Sequence, residues 1–281
     1  MRRTTALFVL RLAAAAAAPP HIITIIADDL GWANVGWHRA PNSTGREEVV
    51  TPHLDALVAE GIALEQFYAF KYCSPSRSAL MSGRNPIHVN VVNPATTLHN
   101  PDDRVSGYAG IPLNMTTIAQ KLRGAGYRAH AVGKWDLGHY ARPYWPTSRG
   151  FSSYFGLLST AYRSYTNHTV ADWTAGCDDD ATDSTCTEAS RFEPVSLVRN
   201  YGPAIGYEGI YSTTLFGDEA ASVLARHNTS ENSEMPLFLY LAFNAPHAPV
   251  EIEEGFHATD TFKGLKANAK DPARRQFAGA L

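Results

Sequence analysis

Four short segments carry residues whose types and spacing could do chemistry. The first is the carboxylate pair Asp28 and Asp29, in Ala-Asp-Asp-Leu-Gly-Trp at 27–32. Neighbouring side chains of a strand point to opposite faces, so both acids reach one site only where the backbone turns, and Gly31 offers a turn. Turned together they suit a hard divalent cation with oxygen ligands; alone, such a pair is more often a solvated turn. The second is Cys-Ser-Pro-Ser-Arg at 73–77, followed by Ser-Ala-Leu-Met-Ser-Gly-Arg at 78–84. The residues after Pro75 predict a short helix closed by Gly83. Cys73 then lies at the helix N-terminus, where partial positive charge favours anions, and Arg77 stands one turn along the same face. Three readings of Cys73 stay open. It is a buried structural thiol, or a thiolate nucleophile with a lowered pKa, or a mismatched metal ligand. In the last case a soft sulfur joins hard carboxylates around one cation, and replacing that sulfur by oxygen removes the conflict.

The third segment is Gly-Lys-Trp-Asp-Leu-Gly at 133–138. Lys134 on a tight, glycine-flanked turn can be a point cation for an oxyanion, or simply a surface lysine. The fourth is Phe-Asn-Ala-Pro-His-Ala-Pro at 243–249. Prolines on either side fix the loop around His247, which could bind an oxyanion or act as a general acid; otherwise it is polar surface.

These segments need elements to hold them. Residues 21–27 form a short β-branched run that reads as a buried strand, and 127–132 and 237–243 are two further strand candidates. Residues 51–61 read as a helix capped by Thr51, with Pro52 in its first turn and Gly61 at its end. A second helix is expected at 114–124, with Met115, Ile118, Ala119 and Leu122 on one face. A third is expected at 213–227, with Leu215, Phe216, Ala220, Val223 and Leu224 turned inward. Strands alternating with helices predict an α/β layered domain with a largely parallel sheet, in which chemistry sits just past the strand ends. The Gly- and Pro-rich stretches at 84–112 and 141–150 read as ordered loops within one domain.

The chain has 281 residues, 44% of them hydrophobic, enough for one substantial core. Lys+Arg 24 against Asp+Glu 27 gives a net charge of −3, so no basic surplus exists for a nucleic-acid backbone. No apolar run reaches the length of a membrane span, so no integral membrane segment is expected. Residues 1–20, with Arg2 and Arg3 before an apolar stretch and an alanine tract, resemble a secretory leader, although Arg11 interrupts them. An extracellular or lysosome-like destination in the secretory pathway follows. Acceptor sequons at Asn42, Asn114, Asn167 and Asn228 agree with that. In an oxidising compartment Cys177 and Cys186 would close a short acidic loop and leave Cys73 as the odd thiol.

Together the four segments resemble the sulfatase family. Cys73 to Arg77 matches its Cys-x-Pro-x-Arg motif, and the Leu-x-x-Gly-Arg pattern follows. Asp28 and Asp29 match the N-terminal metal pair, and residues 126–138 match the second family motif except at one position. Gly150-Phe151, Tyr154-Phe155-Gly156, the segment 210–213 and the run 236–241 are most similar to arylsulfatase B-type enzymes, the N-acetylgalactosamine-4-sulfatases. The resemblance implies an alkaline-phosphatase-like layered fold, with a largely parallel mixed sheet flanked by helices. It implies hydrolysis of sulfated sugars or aryl sulfates. It also implies oxidation of Cys73 to formylglycine by a formylglycine-generating enzyme, and one Ca2+ held by Asp28, Asp29 and the converted Cys73. Arg77 would steady the hydrated aldehyde, while Lys134 and His247 would bind sulfate or assist the leaving group. A phosphatase or phosphodiesterase of the same superfold, and a non-catalytic binder of sulfated glycans, are the alternatives.

Two departures from the family stand out. Asp136 occupies the place of a histidine expected to act as a base, and an aspartate is a weaker base that adds negative charge beside an anionic substrate. The family's later Asp-Asn pair and a further lysine have no counterpart here. Residues 276–281 read as the start of a helix that stops mid-element. The expectation is therefore an incomplete N-terminal catalytic domain over 21–281, C-terminally truncated and poorly active alone, with exposed sheet edges and apolar surface.

Overall fold

The computed structural model describes residues 18–43, 45–89, 110–139, 141–158, 162–170, 195–229, 234–265 and 271–281. Among the described residues the strands are β1 (Ile22–Ala27), β2 (Arg128–Gly133), β3 (Ser153–Leu157), β4 (Tyr162–Ser164), β5 (Thr169–Val170), β6 (Leu197–Arg199), β7 (Gly202–Pro203) and β8 (Leu237–Phe243). The helices are α1 (Pro52–Glu60), α2 (Cys73–Ser82), α3 (Ile118–Gly124), α4 (Ser212–Thr229), α5 (Asp260–Gly264) and α6 (Pro272–Ala280).

Six strands form one sheet in the order β1-β8-β2-β3-β6-β7, and β4 with β5 forms a separate hairpin. The first four are parallel; β6 and β7 add an antiparallel end. The sheet is thus the largely parallel mixed one expected. β8 lies between β1 and β2 and is buried on both faces, which is why its sequence is an unbroken apolar run. Its odd residues, Leu237, Leu239 and Leu241, pack with Leu215, Phe216 and Val223 of α4 on one face. Its even residues, Phe238, Tyr240 and Ala242, pack with Met81 of α2, Ala119 of α3 and Trp135 on the other. The period-two alternation of one strand therefore feeds two cores, one under each helical layer.

Several local expectations need correction. β1 is half-buried on one face and open on the other: Ile22 and Ile26 pack partly against the core, while Ile23 and Ile25 are 48% and 56% exposed, because β1 is the edge strand and no described element covers that side. Thr51 makes no cap hydrogen bond to α1; its hydroxyl donates to Asp55 and accepts from Gly36 N instead. The helix expected from 114 starts at Ile118, where Thr117 and Gln120 form a reciprocal capping box. Leu224, expected inward on α4, is exposed, since it falls at the margin of the buried stripe. The C-terminal helix begins at Pro272 behind an Asp271 cap, four residues ahead of its expected start. Most of the loop at 84–112, the Cys177–Cys186 loop and nearly all of the leader lie outside the described residues.

Candidate active site at the strand ends

Parallel strands bring their C-terminal ends to one edge of a sheet, and here three of those ends meet. Register pairs Ala27 of β1 with Phe243 of β8, and Ala242 of β8 with Gly133 of β2. The residues that follow are Asp28, Asn244 and Lys134. Backbone hydrogen bonds lace them together: Asp28 N donates to Ala245 O, and Lys134 N to Ala242 O. Gly133 is required here. It has φ +98°, and a Cβ at that position would meet Ala242 O at 1.9 Å.

The two adjacent acids share the site because the chain turns at Asp29 itself, which is left-handed at φ +59°, rather than at Gly31. Asp28 points inward and is buried. Its Oδ1 accepts from Arg77 at 3.0 Å and its Oδ2 from Lys134 Nζ at 2.6 Å. Burial alone would raise the Asp28 pKa, but the two cations outweigh it and hold the carboxyl below its ordinary value. Asp29 stays largely exposed, 3.4 Å from His247 Nε2.

α2 delivers the thiol. Cys73 is its first residue, Tyr72 precedes it, and Gly83 closes it at φ +67°. Arg77 extends from this helix across the sheet edge, donating to Asp28, to Lys134 O at 3.0 Å and to Tyr240 Oη at 3.2 Å. It is clamped onto Asp28 rather than reaching back to Cys73 as its helical spacing implied. The Cys73 thiol is pushed up, not down: burial is the main cause, and Asp28 and Asp136 add to it against the pull of Lys134 and Arg77. That speaks against the lowered-pKa thiolate, since burial beside two carboxylates opposes the helix terminus.

Ligand atoms of Cys73, Asp28 and His247 lie within 4.8 Å of one another. The sequence-predicted residues Asp28, Cys73, Arg77, Lys134 and His247 are thus brought together, with Asp29 on the open side. A cleft of about 780 Å³ adjoins them, lined by Asp28, Asp29, Cys73 and Arg77 together with Phe67 and Tyr72. Lys134 is not a surface lysine, being fully buried with a raised pKa.

Asp136 sits directly behind this group, fully buried and left-handed at φ +58°. Burial pushes its pKa up to about 6, against the lowering effect of Lys134, Arg77 and a hydrogen bond from Ser74. Two buried cations, Arg77 and Lys134, are therefore matched by two buried acids, Asp28 and Asp136.

Some contributors escaped the sequence. Tyr240 is inward by the alternation of β8, but nothing local says that its hydroxyl meets Arg77. Tyr165 Oη lies 3.0 Å from His247 Nδ1 across 82 positions of chain. Glu251 grips the turn that carries Tyr165, accepting from Tyr165 N at 3.1 Å, Thr166 N at 2.9 Å and Thr166 Oγ1 at 2.7 Å. Ser212 and Asn244 exchange hydrogen bonds that tie the start of α4 to the His247 loop.

Comparison with known proteins agrees with this architecture. Arylsulfatase J of Mus musculus is 36% identical over 233 residues, which is 83% of this chain and 33% of that protein. N-acetylgalactosamine-6-sulfatase of Mus musculus is 33% identical, over 88% of this chain and 44% of that protein. The crystal structure of Ps i-CgsB superposes with a TM-score of 0.67 at 27% identity, covering 93% of this chain and 51% of that one. The chain spans a third to a half of the length of these relatives, which do not single out the B-type subgroup. The sulfatase family model matches residues 20–281, and this chain, with its motif cysteine at the head of α2 and its acid pair at the end of β1, belongs to the sulfatase family.

Proposed function

We propose that the chain carries the catalytic face of a sulfuric ester hydrolase. Its nucleophile would be formylglycine made from Cys73, and Asp28, Asp29 and the converted Cys73 would hold one Ca2+. The observation that carries this reading is the meeting of Cys73, Asp28 and His247 within 4.8 Å, beside the buried Lys134 and Arg77. As a thiol, Cys73 is a poor partner for a hard cation; with oxygen in place of sulfur, the donor set fits one. Bound there, the cation would draw charge from the sulfuryl oxygens, while the hydrated aldehyde would supply the attacking hydroxyl.

The remaining roles follow from positions. Lys134 and Arg77 neutralise Asp28 and keep it an anion, aimed at the cleft. His247 faces the open side, where a sulfate oxygen or the departing alcohol oxygen would sit. To deliver a proton from Nε2 its ring must carry both protons, because Nδ1 is committed to Ala248 O and Tyr165. Sulfated amino sugars are the substrate class that the N-acetylgalactosamine-6-sulfatase relatives favour, with aryl sulfates as reporters. The leader, the exposed sequon asparagines 42, 114 and 167, and an oxidative modification at Cys73 fit passage through the secretory pathway and an encounter with a formylglycine-generating enzyme. Among the described residues no helix is long and apolar enough to cross a membrane.

Peptide mass spectrometry tests this on chain secreted from cells that contain the converting enzyme. A loss of about 18 Da at Cys73, the exchange of sulfur for oxygen with loss of two hydrogens, supports it. Retained thiol with no preference for sulfate over phosphate esters overturns it. One observation favours a second reading, a binder of sulfated glycans without turnover: Asp136 cancels the positive charge that an anionic substrate would otherwise meet. Asp136→His separates the two. A catalytic site regains sulfate release, roughly ten-fold or more for a restored general base; no gain supports the binder.

A further inference from the structure

Before any oxidation, Cys73 keeps its sulfur, and the surroundings then describe a cation site of a different kind. Sγ of Cys73, a carboxylate oxygen of Asp28 and an imidazole nitrogen of His247 lie within 4.8 Å of one another. An equilateral triangle of that edge has its centre about 2.8 Å from each corner, so contraction by roughly half an ångström reaches the 2.0–2.3 Å of zinc bonds.

The histidine is already set for this. Its Nδ1 lies 2.5 Å from Ala248 O, which can only accept, so Nδ1 carries the proton. Tyr165 Oη donates to that same carbonyl at 3.0 Å, and toward Nδ1, also at 3.0 Å, its oxygen is left to accept. Both partners therefore fix the Nδ1–H tautomer and leave the Nε2 lone pair available, 3.4 Å from Asp29 Oδ2. A ring nitrogen that donates to a backbone carbonyl, with the other beside an acid, is the outer-sphere arrangement typical of metal-binding histidines. Both flanks are rigid. Glu251 anchors the turn bearing Tyr165, and Arg77 with Lys134 fixes Asp28.

We propose that the chain with unmodified Cys73 binds a borderline-soft divalent cation of the zinc class through Cys73 Sγ, His247 Nε2 and Asp28, with Asp29 or water as the fourth donor. One sulfur, one nitrogen and one or two oxygens suit such an ion, whereas Ca2+ rejects the sulfur and nitrogen. On binding, the S–H bond of Cys73 breaks, the metal–sulfur bond forms, and the proton passes to solvent. The site goes beyond the hydrolase reading and does not rest on it, since it concerns the chain before conversion.

The test uses the full chain made in cells without a converting enzyme, with intact mass verifying the thiol, titrated with Co2+ and then Zn2+. The expected result is one equivalent of Co2+ with a thiolate-to-cobalt charge-transfer band in the near ultraviolet, displaced by Zn2+. Cys73→Ser, nearly isosteric, removes the band; His247→Ala weakens binding by ~10-fold or more, and Tyr165→Phe by about 10-fold through the lost orientation. Circular dichroism shows whether each variant keeps its fold. Cobalt binding without the band overturns the proposal, as does a band that persists in Cys73→Ser and so belongs to Cys177 or Cys186. Absence of binding overturns it too. None of those failures touches the hydrolase reading, which depends instead on the mass of Cys73 in converted chain.

Discussion

Asp136 concentrates the energetic tension of the site. A fully buried carboxylate with a pKa near 6, against 3.8 for the free side chain, holds its proton more tightly folded than unfolded. Between those values the native state binds more protons, so this residue makes stability fall as pH rises from about 4 to 6. Roughly two units at about 1.4 kcal/mol each amount to a few kcal/mol at neutral pH. Asp136→Asn keeps the shape and the tolerance for a left-handed backbone while removing the charge. The variant is expected to match the parent in urea midpoint near pH 4 and to exceed it at pH 7.5. Equal midpoints at both pH values would show that Asp136 is not a stored destabilisation. Asp28 acts oppositely: its lowered pKa contributes stability above the ordinary carboxylate range that is lost on acidification. Comparing variant with parent at each pH cancels that contribution.

At the scale of elements, the site depends on how closely β2 and β8 approach at their ends. Gly133→Ala would press a methyl group onto Ala242 O and hold an L-residue at φ +98°. Backbone cannot yield there without breaking the β2–β8 register that aligns Lys134 with Asp28. The expected loss is roughly 3 kcal/mol or more, or failure to fold. A drop in thermal midpoint under about 2 °C would mean that the strand ends adapt freely. β8 was legible because a strand buried on both faces is an unbroken apolar run, and β1 because its residues are mostly β-branched; β2, with Arg128 and His130, carries neither signal strongly. α2 and α4 were legible from helix stops and periodicity. Thr51 misled because its hydroxyl found Asp55 and Gly36, a competition that no local rule ranks.

Across the whole molecule, large apolar side chains are exposed on β1 and on the segment from α1 to α2, and Ile25, Phe67 and Tyr68 line one cleft. Ile23 and Ile25 on the edge strand, Leu57 on α1, and Ile62, Phe67 and Tyr68 beyond it are all exposed, and α1 buries no residue. β1 pairs with β8 alone among the described residues, leaving its other edge open. An open strand edge beside such a surface favours association between copies. Ile25→Lys, which puts a charge on that edge, is expected to lower light scattering and raise the monomer fraction in sedimentation, while shifting stability by only about 0.5 kcal/mol. Unchanged association would locate the sticky surface elsewhere.

The sequence alone determined the layered α/β class and picked out the candidate positions that meet at the strand ends, because both are written in short windows: a motif of five residues, a strand-length apolar run, a glycine after a helix. It also marked Asp136 as out of place. Only the tertiary structure decided which of these groups touch. The clamp of Arg77 and Lys134 on Asp28, the raised pKa of Cys73, and the fixing of His247 by Tyr165 and Glu251 join residues up to 106 positions apart. Their strength comes from desolvation and from the register of parallel strands, which no local stretch of sequence contains.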